Sequence, residues 1–277
     1  MRFAMLLILI LFLTGCCAQD SATDVQSAAV PVLHVQNGFE LTAAAADMLR
    51  TGSESVTAAI SAQLYPEAGL RIRDAVKENV LTGTLVDSVT WEKHGRLLEI
   101  RAVYETDRET VRARKEMLAA YAAEWAACAD AFPPEIRVLL AYDLLCRSCI
   151  YDETAESAGS AYGALICGRA SCAGFAEGFA LLLEAAGIPV MQIEGTVTQP
   201  EGITAHAWNL VQLDGVWYHA DCTWDADADT YSHFLCDDTV MLQTHSWDRT
   251  AYPAAEGRAY SYAEIAEEMA ARTFMPE

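Results

Sequence analysis

The residues of this chain most suited to chemistry sit around one turn. In "HAWNLVQLDGVWYHAD", residues 206 to 221, Asp214-Gly215 separates two apolar-rich runs, which predicts a hairpin closed by a two-residue type I′ turn. Such a turn fixes the register. Leu213 faces Val216, and the ladder read outward sets Trp208 opposite Asp221, and His206 opposite Thr223 if pairing runs that far. Side chains alternate along a strand, so His206, Trp208, Asp221 and Thr223 share one face. His206 and Asp221 are then diagonal neighbours with Cα atoms about 7 to 8 Å apart, within reach of an imidazole–carboxylate hydrogen bond. A histidine with an orienting acid calls for a nucleophile. "GRASCAGFAEGFALLLEAAG", residues 168 to 187, supplies Cys172 at the start of a predicted helix, where unsatisfied N–H groups and the helix dipole favour a thiolate. The chemistry predicted is attack by Cys172 on a carbonyl carbon, with His206 protonating the leaving amine and Asp221 holding the imidazole tautomer. The Cys172 N–H is expected to give one oxyanion bond.

Other polar and aromatic residues near these three rank lower. Asp225 lies past the expected strand end, and Asn209 faces away from His206. Trp208 suits either a shield over the His-Asp pair or simple core, and Tyr151 and Tyr162, upstream of the nucleophile, are candidates to line a cleft. His219, opposite Leu210, reads as structural; Trp217, Tyr218 and Trp224 read as packing. Cys146 and Cys149 form a C-x-x-C, but the run from Ile136 to Ile150 has helical apolar spacing and no second C-x-x-C follows. Core packing is therefore preferred to a disulfide, a redox pair or a metal site.

The elements that must position the three follow from periodicity. After Cys172 the residues Phe175, Phe179, Leu182 and Leu183 form an apolar helix that Gly187 and Pro189 end, followed by a strand "VMQIEGTV". Two helices are expected upstream, over 109 to 131 and from about Glu135 to Cys149, separated by Pro133-Pro134. Residues 85 to 105 alternate like two strands around His94-Gly95, and the Ala-rich text from Leu41 to about Gly83 reads as two or three short helices.

Cys172 with its helix, then "AHAWNLVQLDGVWYHADCTWD" from 205 to 225, resembles the transglutaminase-like superfamily of papain-type cysteine enzymes. The resemblance covers about residues 135 to 250. It implies an α+β fold in which a central nucleophile-bearing helix packs on an antiparallel sheet, and a Cys172, His206, Asp221 triad. Ala170 stands where many members have glycine. "YSHFLCDD" and His245-Ser246-Trp247-Asp248 also resemble the downstream part of bacterial members. The implied activity is cleavage or transfer at amide bonds, as peptidase, amidase or transglutaminase. The rival reading is a non-catalytic binding or assembly module that keeps the fold.

Composition and the first residues set the context. A formal charge of −21 repels polyanions, which sets nucleic acid aside as a partner. No nucleotide-binding or metalloprotease motif is present in the sequence, and no cofactor or metal is expected. Arg2, the apolar run Phe3 to Leu13, and Leu13-Thr14-Gly15-Cys16 resemble a bacterial lipoprotein signal, the apolar run being shorter than the ~20 residues a membrane span needs. Cys16 is thus the expected lipidation site, and the protein is expected to be exported, tethered to the membrane, and acting on a protein or peptide such as a wall peptide. The expected organisation is a signal over 1–15, lipidated cysteine and flexible tether over 16–36, an N-terminal helical plus β-hairpin region over 37–108, and the catalytic domain over 109–277.

Overall fold

Two antiparallel-rich sheets, each with its own helices, make up the computed structural model, which describes residues 32–50, 52–78, 86–104, 106–200, 202–228 and 231–273. The expected export signal, Cys16 and the expected tether up to residue 31 lie outside the described residues.

The first sheet is built from β1 (Val32–His34), β2 (Ser55–Ala59), β3 (Val86–His94) and β4 (Leu97–Tyr104), in the order β1-β2-β4-β3. β3 and β4 form the expected hairpin, but its turn is Gly95-Arg96, one residue later than the expected His94-Gly95, because His94 pairs with Leu97. Helices α1 (Gly38–Arg50) and α2 (Ala68–Glu78) cover one face, where Leu41, Leu49 and Ile72 meet Ala58, Leu98 and Ile100. Two short strands correct the sequence reading. Ser55–Ala59 lies inside the stretch expected to be helical, and Val32–His34 lies inside the expected tether. Both exist through partners far along the chain, β2 on β4 and β1 on β2, and neither is long enough to show a period of its own.

Next, α3 (Arg108–Ala129) starts on Asp107, whose carboxylate accepts from the N–H groups of Glu109 and Thr110. Pro134 opens α4 (Pro134–Ser148) at a position where its missing N–H costs nothing. Between α4 and the nucleophile-bearing helix the chain folds on itself. β5 (Ile150–Tyr151) pairs in parallel with β6 (Arg169–Ala170), and a π-helical turn, Gly163–Cys167, lies between them.

Helix α5 (Cys172–Ala185) is buried from Gly174 through Leu183. Its first turn presses against the preceding loop: a methyl at Gly174 would lie 2.3 Å from the Ala158 carbonyl oxygen, so only glycine permits this approach. Gly187 (φ +73°) ends α5 as expected, with the Ile188 N–H returning to the Leu183 carbonyl.

The second sheet has the order β10-β7-β8-β9, formed by β7 (Val190–Gln199), β8 (Gly202–Leu213), β9 (Val216–Ala220) and β10 (His245–Trp247). All its pairings are antiparallel. α5 packs on one face, where Phe175, Phe179 and Leu182 join Val211, Leu213 and Tyr142. On the other, Trp208 and Leu210 pack with Ile193, Met241 and Ala255. β8 is thus covered on both sides, which explains why its residues from His206 to Val211 are buried without alternation. Further α-helices among the described residues are α6 (Cys222–Ala228), α7 (Asp238–Met241) and α8 (Tyr262–Thr273).

Candidate active site

The Asp214-Gly215 turn has both residues at positive φ, +51° and +78°, the type I′ signature. The register is as expected from Leu213/Val216 out to Asn209/Ala220. There it stops. Trp208 does not pair with Asp221, nor His206 with Thr223, because the chain leaves the strand at Asp221 and enters α6 at Cys222. Asp221 caps that helix: its Oδ1 accepts from the N–H groups of Thr223 at 3.0 Å and Trp224 at 3.2 Å. Its Oδ2 is thereby turned toward the sheet and accepts from His206 Nε2 at 2.7 Å. The diagonal contact read from the hairpin exists, but a helix cap rather than a continued ladder creates it.

Cys172 is the first residue of α5 and is half-buried. Ser171, the residue before it, turns its hydroxyl to the Ala158 carbonyl and makes no side-chain cap. The N–H groups of the first turn are thus left uncapped by that hydroxyl, beside the thiol. Strand and helix are tied by Asn209, whose Nδ2 donates to the Ala176 carbonyl at 3.0 Å, both buried. Asn209 faces away from His206, as expected, and holds β8 against the helix that carries Cys172.

His206 is almost fully enclosed. Burial opposes its charge, but the Asp221 carboxylate and the nearby Cys172 thiol outweigh burial and hold its pKa at about 9. With Nε2 given to Asp221, Nδ1 is the nitrogen left for the thiol. Asp221 is fully buried, which alone would raise its pKa; its bonds from His206 and His245 overcome this and hold it well below the usual carboxylate range. This pairing makes folding depend on pH. A pKa raised from 6.5 to about 9 means that His206 stabilises the fold fully below pH 6.5 and ceases to as pH rises through 9. His219, held down to about 4 by burial, acts in the opposite sense and withdraws stability as pH falls below 6.5. The thermal midpoint should therefore fall from pH 7 to 8.5 in the native protein and stay level in His206→Gln, measured by circular dichroism melts; an equal fall in both proteins would refute the assignment.

Around this core the structure places the other sequence candidates. Trp208 is 1% exposed and stacks on the His206 ring at 5.9 Å, while its Nε1 donates to His219 Nδ1 at 3.0 Å. It both covers His206 and fills the core. His219 is completed by Asp238 at 3.0 Å from its Nε2. Tyr151 is exposed on β5, close enough to Cys172 for the two to interact by charge, and its hydroxyl donates to Glu153. Tyr162 packs elsewhere, with Leu118 and Leu181 and under the Arg114 guanidinium at 4.7 Å. Asp225, on α6, is buried and accepts from His233.

Two buried residues at this site had no role in the sequence reading, although His245 stood in the downstream stretch that carries part of the resemblance. Tyr142 of α4 sets its hydroxyl 2.7 Å from the Asp221 carbonyl and 2.6 Å from Asp225 Oδ2, pinning the chain where the strand becomes a helix. His245 of β10 donates from Nε2 to Asp221 Oδ2 at 3.0 Å. Nothing in local spacing marks either, since both contacts depend on elements far apart in sequence.

Among the described residues, His206, Asp221 and His245 are the one group of three whose ligand atoms lie within 4.8 Å of one another. Each imidazole already donates to the same carboxylate oxygen, so the three satisfy one another without an ion. Cys146 and Cys149 are both free thiols in the structure. Cys146 is 3.4 Å from the Cys222 carbonyl, and Cys149 is buried beyond the helix end, where burial pushes its thiol up to about 12.

A family model described as the transglutaminase-like superfamily matches residues 121–222. That span contains Cys172, His206 and Asp221 and ends before His245. No curated protein matched the chain. Among solved structures, one described as a TGase is 14% identical, with 61% of this chain and 50% of that one covered at a TM-score of 0.35. A candidate cysteine protease from Cytophaga hutchinsonii is 16% identical, with 49% and 61% covered and a TM-score of 0.34. The periplasmic domain of TgpA from Pseudomonas aeruginosa is 18% identical, with 48% and 55% covered and a TM-score of 0.33. The chain thus spans between half and about three-fifths of the length of these structures.

Proposed function

We propose that this chain, which carries a transglutaminase-like domain over residues 121–222, is a thiol enzyme that opens amide bonds through a thioester on Cys172. The observation that carries the reading is His206 bonded through Nε2 to Asp221 at 2.7 Å, with the Cys172 thiol near enough to raise its pKa. In the forward step the Cys172 sulfur bonds to the carbonyl carbon, the carbon–nitrogen bond breaks, and His206 gives its proton to the departing amine. Asp221 keeps the His206 tautomer that allows this and balances the imidazolium charge. The uncapped first turn of α5 supports the Cys172 N–H as an oxyanion donor. Resolution of the thioester by water returns a carboxylic acid; resolution by an amine gives a new amide. Tyr151, exposed and near the thiol, is the aromatic best placed to meet a substrate.

The site of action proposed is outside the cytoplasm, on proteins or wall peptides, with Cys16 as the lipid anchor. This rests on Arg2, the apolar run to Leu13 and Leu13-Thr14-Gly15-Cys16. None of the described helices is long and apolar enough to cross a membrane.

Trapping tests the chemistry directly. The protein is mixed with a pool of cell-envelope peptides, quenched in acid, digested and examined by mass spectrometry, while iodoacetamide alkylation at pH 6 is timed in parallel. An acyl adduct on Cys172, with alkylation there faster than that of free glutathione, is the expected result. No adduct and alkylation no faster than glutathione would overturn the enzyme and favour a binding module. Prompt alkylation at Cys146 and Cys149 instead would favour a thiol-disulfide protein.

A further inference from the structure

We propose that His245 is a positioning residue of this site: it is a second hydrogen-bond donor to the Asp221 carboxylate, dividing that charge with His206 so that the His206 proton stays transferable. The inference rests on the thiol-enzyme reading above. It concerns a residue beyond the segment that the superfamily model matches.

The geometry assigns the donor and acceptor at each atom. Asp221 Oδ2 accepts from two imidazoles, His206 at 2.7 Å and His245 at 3.0 Å, and all three side chains are at most 6% exposed. A carboxylate only accepts, so His245 Nε2 carries the hydrogen. Thr244 Oγ1 lies 2.8 Å from His245 Nδ1, and the hydroxyl can donate there. This leaves a neutral ring with a fixed tautomer. Thr244 is itself anchored, its carbonyl accepting from the Thr198 N–H at 2.8 Å.

Burial and the neighbouring imidazoles favour neutrality of this ring over the opposing Asp221 carboxylate. The titratable groups around it are Asp221, His206, His219 and His233, and the aromatic ones are Trp208 at 5.0 Å and Trp224 at 4.7 Å between ring centres. Burial lowers its pKa first, and charge on His206 or His233 lowers it further, against the pull of Asp221. His245 therefore stays uncharged while His206 is charged.

His245 is not needed to hold the carboxylate in place. Asp221 Oδ1 already accepts two N–H groups of α6, which fixes its orientation through the helix cap. What the second imidazole takes is charge. A donor that stabilises the ionised carboxylate weakens its grip on the neighbouring imidazolium, and a general acid works best when its proton is not held far above the working pH.

The experiment follows the His206 imidazole by NMR titration in the full chain and in His245→Leu, His245→Gln and Thr244→Val. The expected result is a His206 midpoint raised by about one pH unit in His245→Leu. In Thr244→Val the rise should be smaller but in the same direction. His245→Gln, whose amide can donate from a similar position, should return the midpoint to within a few tenths of a unit of the native value. A residue that merely packs would lower stability without moving this midpoint or being rescued by glutamine. An unchanged or lowered midpoint in folded His245→Leu overturns the proposal, as does a glutamine variant that behaves like leucine. If His245→Leu does not fold, Thr244→Val decides: an upward shift supports the proposal and none refutes it. Iodoacetamide labelling of native Cys172 at pH 6 keeps the two readings apart. Slow labelling refutes the enzyme, whereas fast labelling with an unmoved His206 midpoint refutes only the role of His245.

Discussion

Cys172→Ala is expected to lower kcat/KM for an amide substrate by about 10⁴-fold or more, with the thermal midpoint nearly unchanged. The activity should vanish because no other group can take the thiol's place. Among the described thiols, Cys222 is buried behind Asp221 and Cys149 is buried beyond the end of α4, and burial holds both in the protonated form. Stability should hold because alanine removes only a half-buried sulfur from the first residue of a helix whose burial begins at Gly174. The measurement pairs initial rates on the peptide that acylates the native protein with a circular dichroism melt. Residual activity within about 100-fold of the native rate would refute Cys172 as the nucleophile.

Asp221→Asn is expected to cost about 10³ to 10⁴-fold in kcat and, unlike the cysteine variant, to destabilise the fold as well. Aspartate accepts at both oxygens: two α6 N–H groups on Oδ1, two imidazole N–H groups on Oδ2. Asparagine offers one oxygen and one NH₂. If the oxygen keeps the cap, the NH₂ meets two nitrogens that were donors, and His206 must adopt the other tautomer. Its Nδ1 would then carry a hydrogen and could no longer take one from Cys172. If the side chain flips instead, the helix cap is lost and two buried N–H groups face a donor. Either arrangement leaves buried donors unpaired, a cost of about 2 to 4 kcal/mol. Urea unfolding and kcat on the same preparation check both halves. A loss in kcat under about 10-fold would show that Asp221 does not orient the histidine.

Much of this site follows from short-range rules. The Asp214-Gly215 turn sets the register out to Asn209/Ala220 and so brings Asp221, the next residue, to the edge of the ribbon near His206. The helix after Cys172 is legible in its apolar spacing and in Gly187. By contrast, the Ala-rich run before residue 83 concealed β2, since a strand of five residues with little alternation is defined by its neighbour β4 and not by its own pattern. The end of the hairpin differs from the expected pairing for a related reason: Asp221 can extend a strand or cap a helix, and the α6 N–H groups decide for the cap.

The amino-acid sequence by itself determined which residues could carry chemistry, because turn geometry and side-chain alternation act over a few residues and leave little choice. Tertiary structure alone decided what surrounds Asp221. β10 reaches the site only by pairing with β7, and α4 only by packing against α5 and α6. Thus His245 and Tyr142 share no local period with the residues they touch. A buried carboxylate must find a donor for each lone pair; for Asp221 those donors come from α6, β8 and β10, and only tertiary packing brings β10 to it.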